Sequence, residues 1–162
     1  MVKKPEELNG VRTLSFPKWS VLLLSLAPLL MASTQELSAQ MPTGTAVIET
    51  AKGTFRFTVE RAETPDDRSR GLMYRRSMPA DHGMMFTWDN DTNISMWMAN
   101  TVLPLDMVFI KSNGRVHRVH ENAVPFSRDH IPAGAPIRQV LELNAGTAER
   151  IGLKSGDKVT LE

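Results

Sequence analysis

The sequence predicts a mainly β fold over residues 46–162: a compact antiparallel β-sandwich or barrel carrying two short helices. Three observations predict it. Apolar residues recur at every second position, glycine-bearing turns separate the runs, and no segment between them is long enough for a crossover helix.

Ala46–Thr50 and Thr54–Glu60 form the first pair of runs, joined through Lys52-Gly53. Phe55, Phe57 and Val59 alternate with Arg56, Thr58 and Glu60, which predicts a hairpin with one buried face. Thr64-Pro65-Asp66-Asp67 then has the chemistry of a helix start. A threonine can accept from free amides, a proline fits the first position, and acids face the positive end. This helix is expected to run to Met73, with Gly71 inside it at a cost of about 1 kcal/mol relative to Ala; another backbone passing close by is one reason to keep a glycine there. Gly83–Phe86 is expected as a short strand, Asp89–Asn93 as a polar loop, and Ile94–Met98 as the next strand. On that strand Ile94, Met96 and Met98 share one side and Trp97 takes the other. Leu105–Ile110 and Arg115–Val119 flank Asn113-Gly114, a strong hairpin signal. Val124–Pro136, with three prolines, is expected to be a loop, and Arg138–Leu143 a strand. Thr147–Ile151 is expected as a short helix stopped by Gly152, and Lys158–Leu161 as the closing strand.

The first 39 residues have a different composition. Lys3, Lys4, Arg12 and Lys18 precede an 11-residue apolar run, Val21–Met31, and Leu37-Ser38-Ala39 follows with a small residue at the exit. A basic start, a short apolar segment and a small-residue exit predict a secretory signal peptide over residues 1–39. The run is short of the ~20 residues of a spanning helix. Residues 40–45 are expected to be a short tail. The protein is thus expected to be exported, periplasmic or secreted, with no membrane attachment after cleavage. Residues 40–162 hold 15 Lys+Arg and 15 Asp+Glu, so no basic footprint for nucleic acid is present. With no cysteine in the chain, disulfides, thiol chemistry and thiolate metal sites are excluded.

Several separated blocks resemble one family. Gly71-Leu72-Met73 with Arg75 and Gly83-Met84-x-Phe86 form the first. Trp97-Met98-x-Asn100-Thr101-x-x-Pro104-Leu105-Asp106 with Phe109-Ile110 forms the second. Val140-Leu141-Glu142-Leu143, Gly146, Gly152 and Gly156-Asp157 form the third. In this order they are similar to the DUF192 (UPF0127) family, over residues 46–162. Met96 departs from it, standing where an aromatic commonly precedes the Trp. The resemblance implies a mainly β domain and carries no established activity, substrate or cofactor.

Met96–Asp106 holds the densest candidate chemistry. Trp97, Asn100, Thr101 and Asp106, with Arg75, form a candidate binding pocket: an aromatic floor, an amide and a charge pair. The same residues also suit a hydrogen-bonded structural corner, because Asn and Thr at a strand exit bond neighbouring backbone and Asp106 can accept from those amides or pair with Arg75. A second reading uses His82, Met84, Met96 and Met98 as Cu(I) ligands, converging if their two strands pair; the same parity makes the methionines core fillers. His117 and His120 fall on opposite faces of a strand unless a bulge intervenes, so they are expected to be solvated side chains. A third reading is a hydrolase using Asp106, although no nucleophile elbow, phosphate loop or metalloprotease motif is present. The reading that results is a non-catalytic binding or accessory module for a small molecule or a protein, with no cofactor.

Overall fold

In a computed structural model, residues 41–162 are described; the signal peptide expected over residues 1–39 lies outside them. The element order is β1 (Thr43–Thr50), β2 (Gly53–Ala62), α1 (Pro65–Arg70), β3 (His82–Met96), β4 (Leu105–Ile110), β5 (Val116–Ala123), β6 (Ile131–Asn144), α2 (Thr147–Ile151) and β7 (Lys158–Leu161). One seven-stranded sheet contains them all, in the order β5-β4-β6-β3-β2-β1-β7. It is antiparallel except where β2 pairs with β3, so the single parallel step falls at the connection that carries α1.

The sheet curls towards closure. The turn after β4 reaches β7 through the antiparallel bridge Arg115↔Lys158, and the Val159 amide donates to the Gly114 carbonyl at 2.9 Å. Gly114 is required there twice over. Its φ is +76°, and a Cβ would lie 2.7 Å from the Val159 carbonyl oxygen. This curl, rather than two stacked sheets, decides between barrel and sandwich in favour of a half-barrel.

The central strands bury both faces. Alternate residues of β3, β4 and β6 sort onto two cores, with Met84, Phe86, Met107, Phe109 and Val140 in one and Met85, Val108, Leu141 and Leu143 in the other. Glu142 lies on the first of these faces, flanked in register by Met84 on β3 and Met107 on β4. Close approach of β3 and β6 needs Gly83, where a Cβ would meet the Glu142 carbonyl oxygen at 2.6 Å.

Four expectations need correction. Thr43–Thr50 is already strand, so the tail is shorter than residues 40–45. Thr64 caps α1 as anticipated, accepting from the Asp67 amide at 3.1 Å, but the helix ends at Arg70. Gly71 is its C-cap, at φ 48° and ψ −137°, a conformation close to glycine-only, with the Phe86 ring over its α-carbon rather than another backbone. The expected loop at Asp89–Asn93 falls inside β3, although residues 88–91 have no partner on β6: the register jumps from Thr87↔Gln139 to Thr92↔Ile137 and these four residues bulge out of the ladder. Pro132 and Pro136 likewise sit inside β6, opposite Ser95 and Asn93 in that irregular register, where a missing amide donor is tolerated.

Candidate functional site

The continuity of β3 decides the copper reading. The two strands that had to pair are one strand, with His82 at its start and Met96 at its end. His82 instead bonds its neighbour Asp81 at 2.8 Å, while Met84 and Met98 are fully buried in the core and Met96 packs against it. No group of three or more His, Cys, Asp or Glu able to hold a metal occurs among the described residues. His117 falls at a bulge, between the pairs Ile110↔Val116 and Phe109↔Arg118.

The expected pocket residues separate into two groups. Asp106 is fully buried and accepts from two backbone amides, Asn122 at 2.9 Å and Ala148 at 2.8 Å. It therefore reaches neither Asn100, Thr101 nor Arg75, and a sealed carboxylate cannot touch a substrate, so the hydrolase reading through Asp106 fails on geometry. Arg75 pairs with Glu60 instead, through both carboxylate oxygens, one at 2.6 Å. This ion pair, with its hydrogen bond, raises the Arg75 pKa against the opposing effect of burial.

Trp97 and Thr101 are placed together, on one wall of a cleft of about 370 Å³ between the end of α1 and the end of β3. Trp97 is half-exposed and stacks on His130, with ring centroids 6.5 Å apart. Thr101 is buried and donates to the Ala99 carbonyl at 3.2 Å. Across the cleft, the Arg68 guanidinium lies 5.4 Å from the Trp88 ring and donates to the carbonyl of Thr87 at 2.9 Å. Asn100 adopts φ 56° beside the cleft, and its side-chain amide reaches the Met73 sulfur at 3.7 Å.

Around the mouth, three loops are laced by backbone hydrogen bonds. The Tyr74 amide donates to the Asn100 carbonyl, Phe126 to Thr101, and Met98 to Ser127, at 2.9, 3.1 and 3.0 Å. Among the described residues the large exposed hydrophobics are Tyr74, Trp97, Val102, Val124 and Phe126, all on these loops. Tyr74 (φ 64°) and Phe126 (φ 62°) hold positive φ, an uncommon state for bulky side chains that the interloop bonds enforce.

The floor of the cleft contains a residue the sequence reading did not single out. Glu142 is 4% exposed and lines the cleft, and its carboxyl receives no hydrogen bond from any described residue. Since no sealed side-chain oxygen among the described residues is left without a partner, its remaining exposure is to the cleft. Burial raises its pKa to about 8, so the carboxyl is mostly protonated at neutral pH. A signal existed in the sequence: an acid at a face position of Val140-Leu141-Glu142-Leu143, where alternation demands apolar side chains on both faces.

The match to the family model DUF192, described as an uncharacterized ACR, spans residues 34–161. The chain belongs to this family. A DUF192 assignment carries the fold and leaves the activity open. The fold recurs in a crystal structure from Sinorhizobium meliloti 1021, described as a candidate transcription regulator. That protein is 46% identical, with 75% of this chain and 95% of that one covered, at a TM-score of 0.73. A protein of unknown function from Novosphingobium aromaticivorans DSM 12444 is 35% identical, with 77% and 89% covered, at a TM-score of 0.74. No curated protein matches the chain.

Gly71 ties this DUF192 cleft to its backbone. Gly71→Ala is expected to cost about 2 kcal/mol, since φ 48° with ψ −137° strains any L-residue and the Phe86 ring must move by tenths of an ångström. Urea unfolding of the variant checks this.

Proposed function

We propose that this DUF192 chain is an exported, non-catalytic binding module whose ligand enters the cleft between α1 and the end of β3. The observation that carries the reading is the position of Trp97: a half-exposed indole on the wall of a 370 Å³ cleft, on loops that also expose Tyr74 and Phe126 at positive φ. Exposed aromatic side chains beside a cleft are a common mark of an interaction site. Export is supported by the leader pattern of residues 1–39, and none of the described helices is long and apolar enough to cross a membrane. Nucleic acid is not proposed as the partner, because residues 40–162 balance 15 basic against 15 acidic side chains.

Anilinonaphthalene sulfonate is the test probe. The full chain is expected to bind it with energy transfer from Trp88 and Trp97, and Trp97→Ala is expected to weaken binding severalfold while the melting temperature moves by only a few degrees. Unchanged affinity in Trp97→Ala would remove the cleft as the binding site.

A further inference from the structure

Glu142 sits where its carboxyl can serve only something that enters the cleft. On β6 it is flanked by two fully buried methionines, Met84 and Met107. The aromatic faces of Phe86, Trp88 and Trp97 border the same space. Thioether sulfur, aromatic faces and carboxyl oxygen are all electron-rich. Several donors that line the cleft are committed within the protein. The Ser69 hydroxyl donates to the Pro65 carbonyl at 2.8 Å, the Thr101 hydroxyl to that of Ala99, and the Arg68 guanidinium to those of Glu63 and Thr87. None of these donors reaches Glu142, so its carboxylate, once ionised, has no partner of its own, and a positively charged nitrogen entering the cleft would supply one.

Resting on the cleft reading above, we propose that Glu142 is the recognition residue of this site and that its ligands carry a primary ammonium group on a slender apolar arm. The ammonium docks on the carboxylate, and the arm lies along Trp88, Trp97 and Met96. The volume of the cleft favours an organic cation over a bare metal ion. Besides Glu142, the charged residues lining the cleft are Arg68 and Arg70 on α1; they repel any cation and a doubly charged one most, so a monoamine is favoured over a diamine.

Binding has a proton balance. With no ligand at pH 7 the carboxyl carries its proton, since burial holds its pKa at about 8. The incoming ammonium stabilises the carboxylate, and the proton leaves to solvent.

Calorimetric titration of the full chain at pH 7 with hexylamine, in two buffers of different ionisation enthalpy, tests this. Hexylamine is expected to bind with release of close to one proton. Hexanol, its neutral counterpart, is expected to bind at least tenfold more weakly. Glu142→Gln, which keeps the shape and removes the charge, is expected to lower hexylamine affinity at least tenfold and abolish proton release. Hexanol binding as tightly as hexylamine, hexylamine binding without proton release, or Glu142→Gln binding like the wild type each overturns the ammonium assignment. Absence of hexylamine binding overturns it too. If the dye still responds to Trp97→Ala in that case, the cleft reading survives; if it does not, both readings fall.

Discussion

Wild-type protein is expected to lose stability as pH rises from about 5 to about 8, and Glu142→Gln is expected to be spared this loss. The folded carboxyl titrates near 8, against 4.5 for the ordinary group. Between those values the native state holds a proton that the unfolded chain has released, so raising pH favours the unfolded chain. The stability is fully present below about pH 4.5, falls across the window and levels off above about pH 8. At about 1.4 kcal/mol per pH unit, the loss from pH 5 to pH 9 is about 4 kcal/mol, a ceiling because water in the cleft eases the desolvation. Other carboxylates titrate alike in both proteins, so the difference between their stability curves isolates this residue. Urea unfolding of both at pH 5, 7 and 9 is the measurement, and parallel curves would show that Glu142 is not held protonated by the fold. A domain carrying such a cost at neutral pH fits a site kept for use, since a glutamine would relieve it.

The fold was legible because its causes are local. Phe55, Phe57 and Val59 alternate with polar residues on a half-exposed strand, and Gly114 sits at a turn that only a left-handed residue completes. The elements that misled did so for tertiary reasons. Asp89–Asn93 reads as a loop because its side chains are polar, and residues 88–91 do leave the ladder; the tertiary fact is that Thr92 resumes pairing with the same strand, β6, so both flanks belong to β3. The prolines of β6 read as breakers, and they are accommodated at the irregular end of that pairing. In the site, Met98 is buried and Trp97 exposed as expected, but the strand expected to reach Met98 ends at Met96, so both lie in the loop beyond it and strand parity is not the cause. Which acid mattered was not legible from the signature alone. Asp106 stands nine residues from Trp97 in sequence and serves the backbone of β5 and α2, while Glu142, forty-five residues from Trp97 and paired with Met84 near the other end of β3, lines the same cleft. Only the tertiary fold makes that connection.

Asp106→Ala is expected to destabilise the domain by about 4 kcal/mol, the largest effect of any single change at the signature. Its two oxygens satisfy amides on separate elements. Asn122 lies in an irregular stretch of β5 with φ 54°, where the register between Leu105↔Ala123 and Met107↔His120 slips. Ala148 lies in the first turn of α2, whose N-cap is Gly146 and so has no side chain to cap with. Asp106 therefore caps that helix from across the sheet. Truncation leaves the buried Ala148 amide without an acceptor, at up to about 3 kcal/mol, and the part-buried Asn122 amide, at about 1 kcal/mol. Asp106→Asn keeps one acceptor and turns an NH2 group towards the other amide, so about half the loss is expected. Thermal unfolding measures both. The dye titration separates this role from that of a binding residue. Folded Asp106→Asn should bind anilinonaphthalene sulfonate like the wild type while melting lower, whereas Trp97→Ala should melt like the wild type and bind weakly. If Asp106→Asn instead keeps its melting temperature and loses the dye, its carboxylate belongs to the cleft, and the structural assignment of the signature acid is wrong.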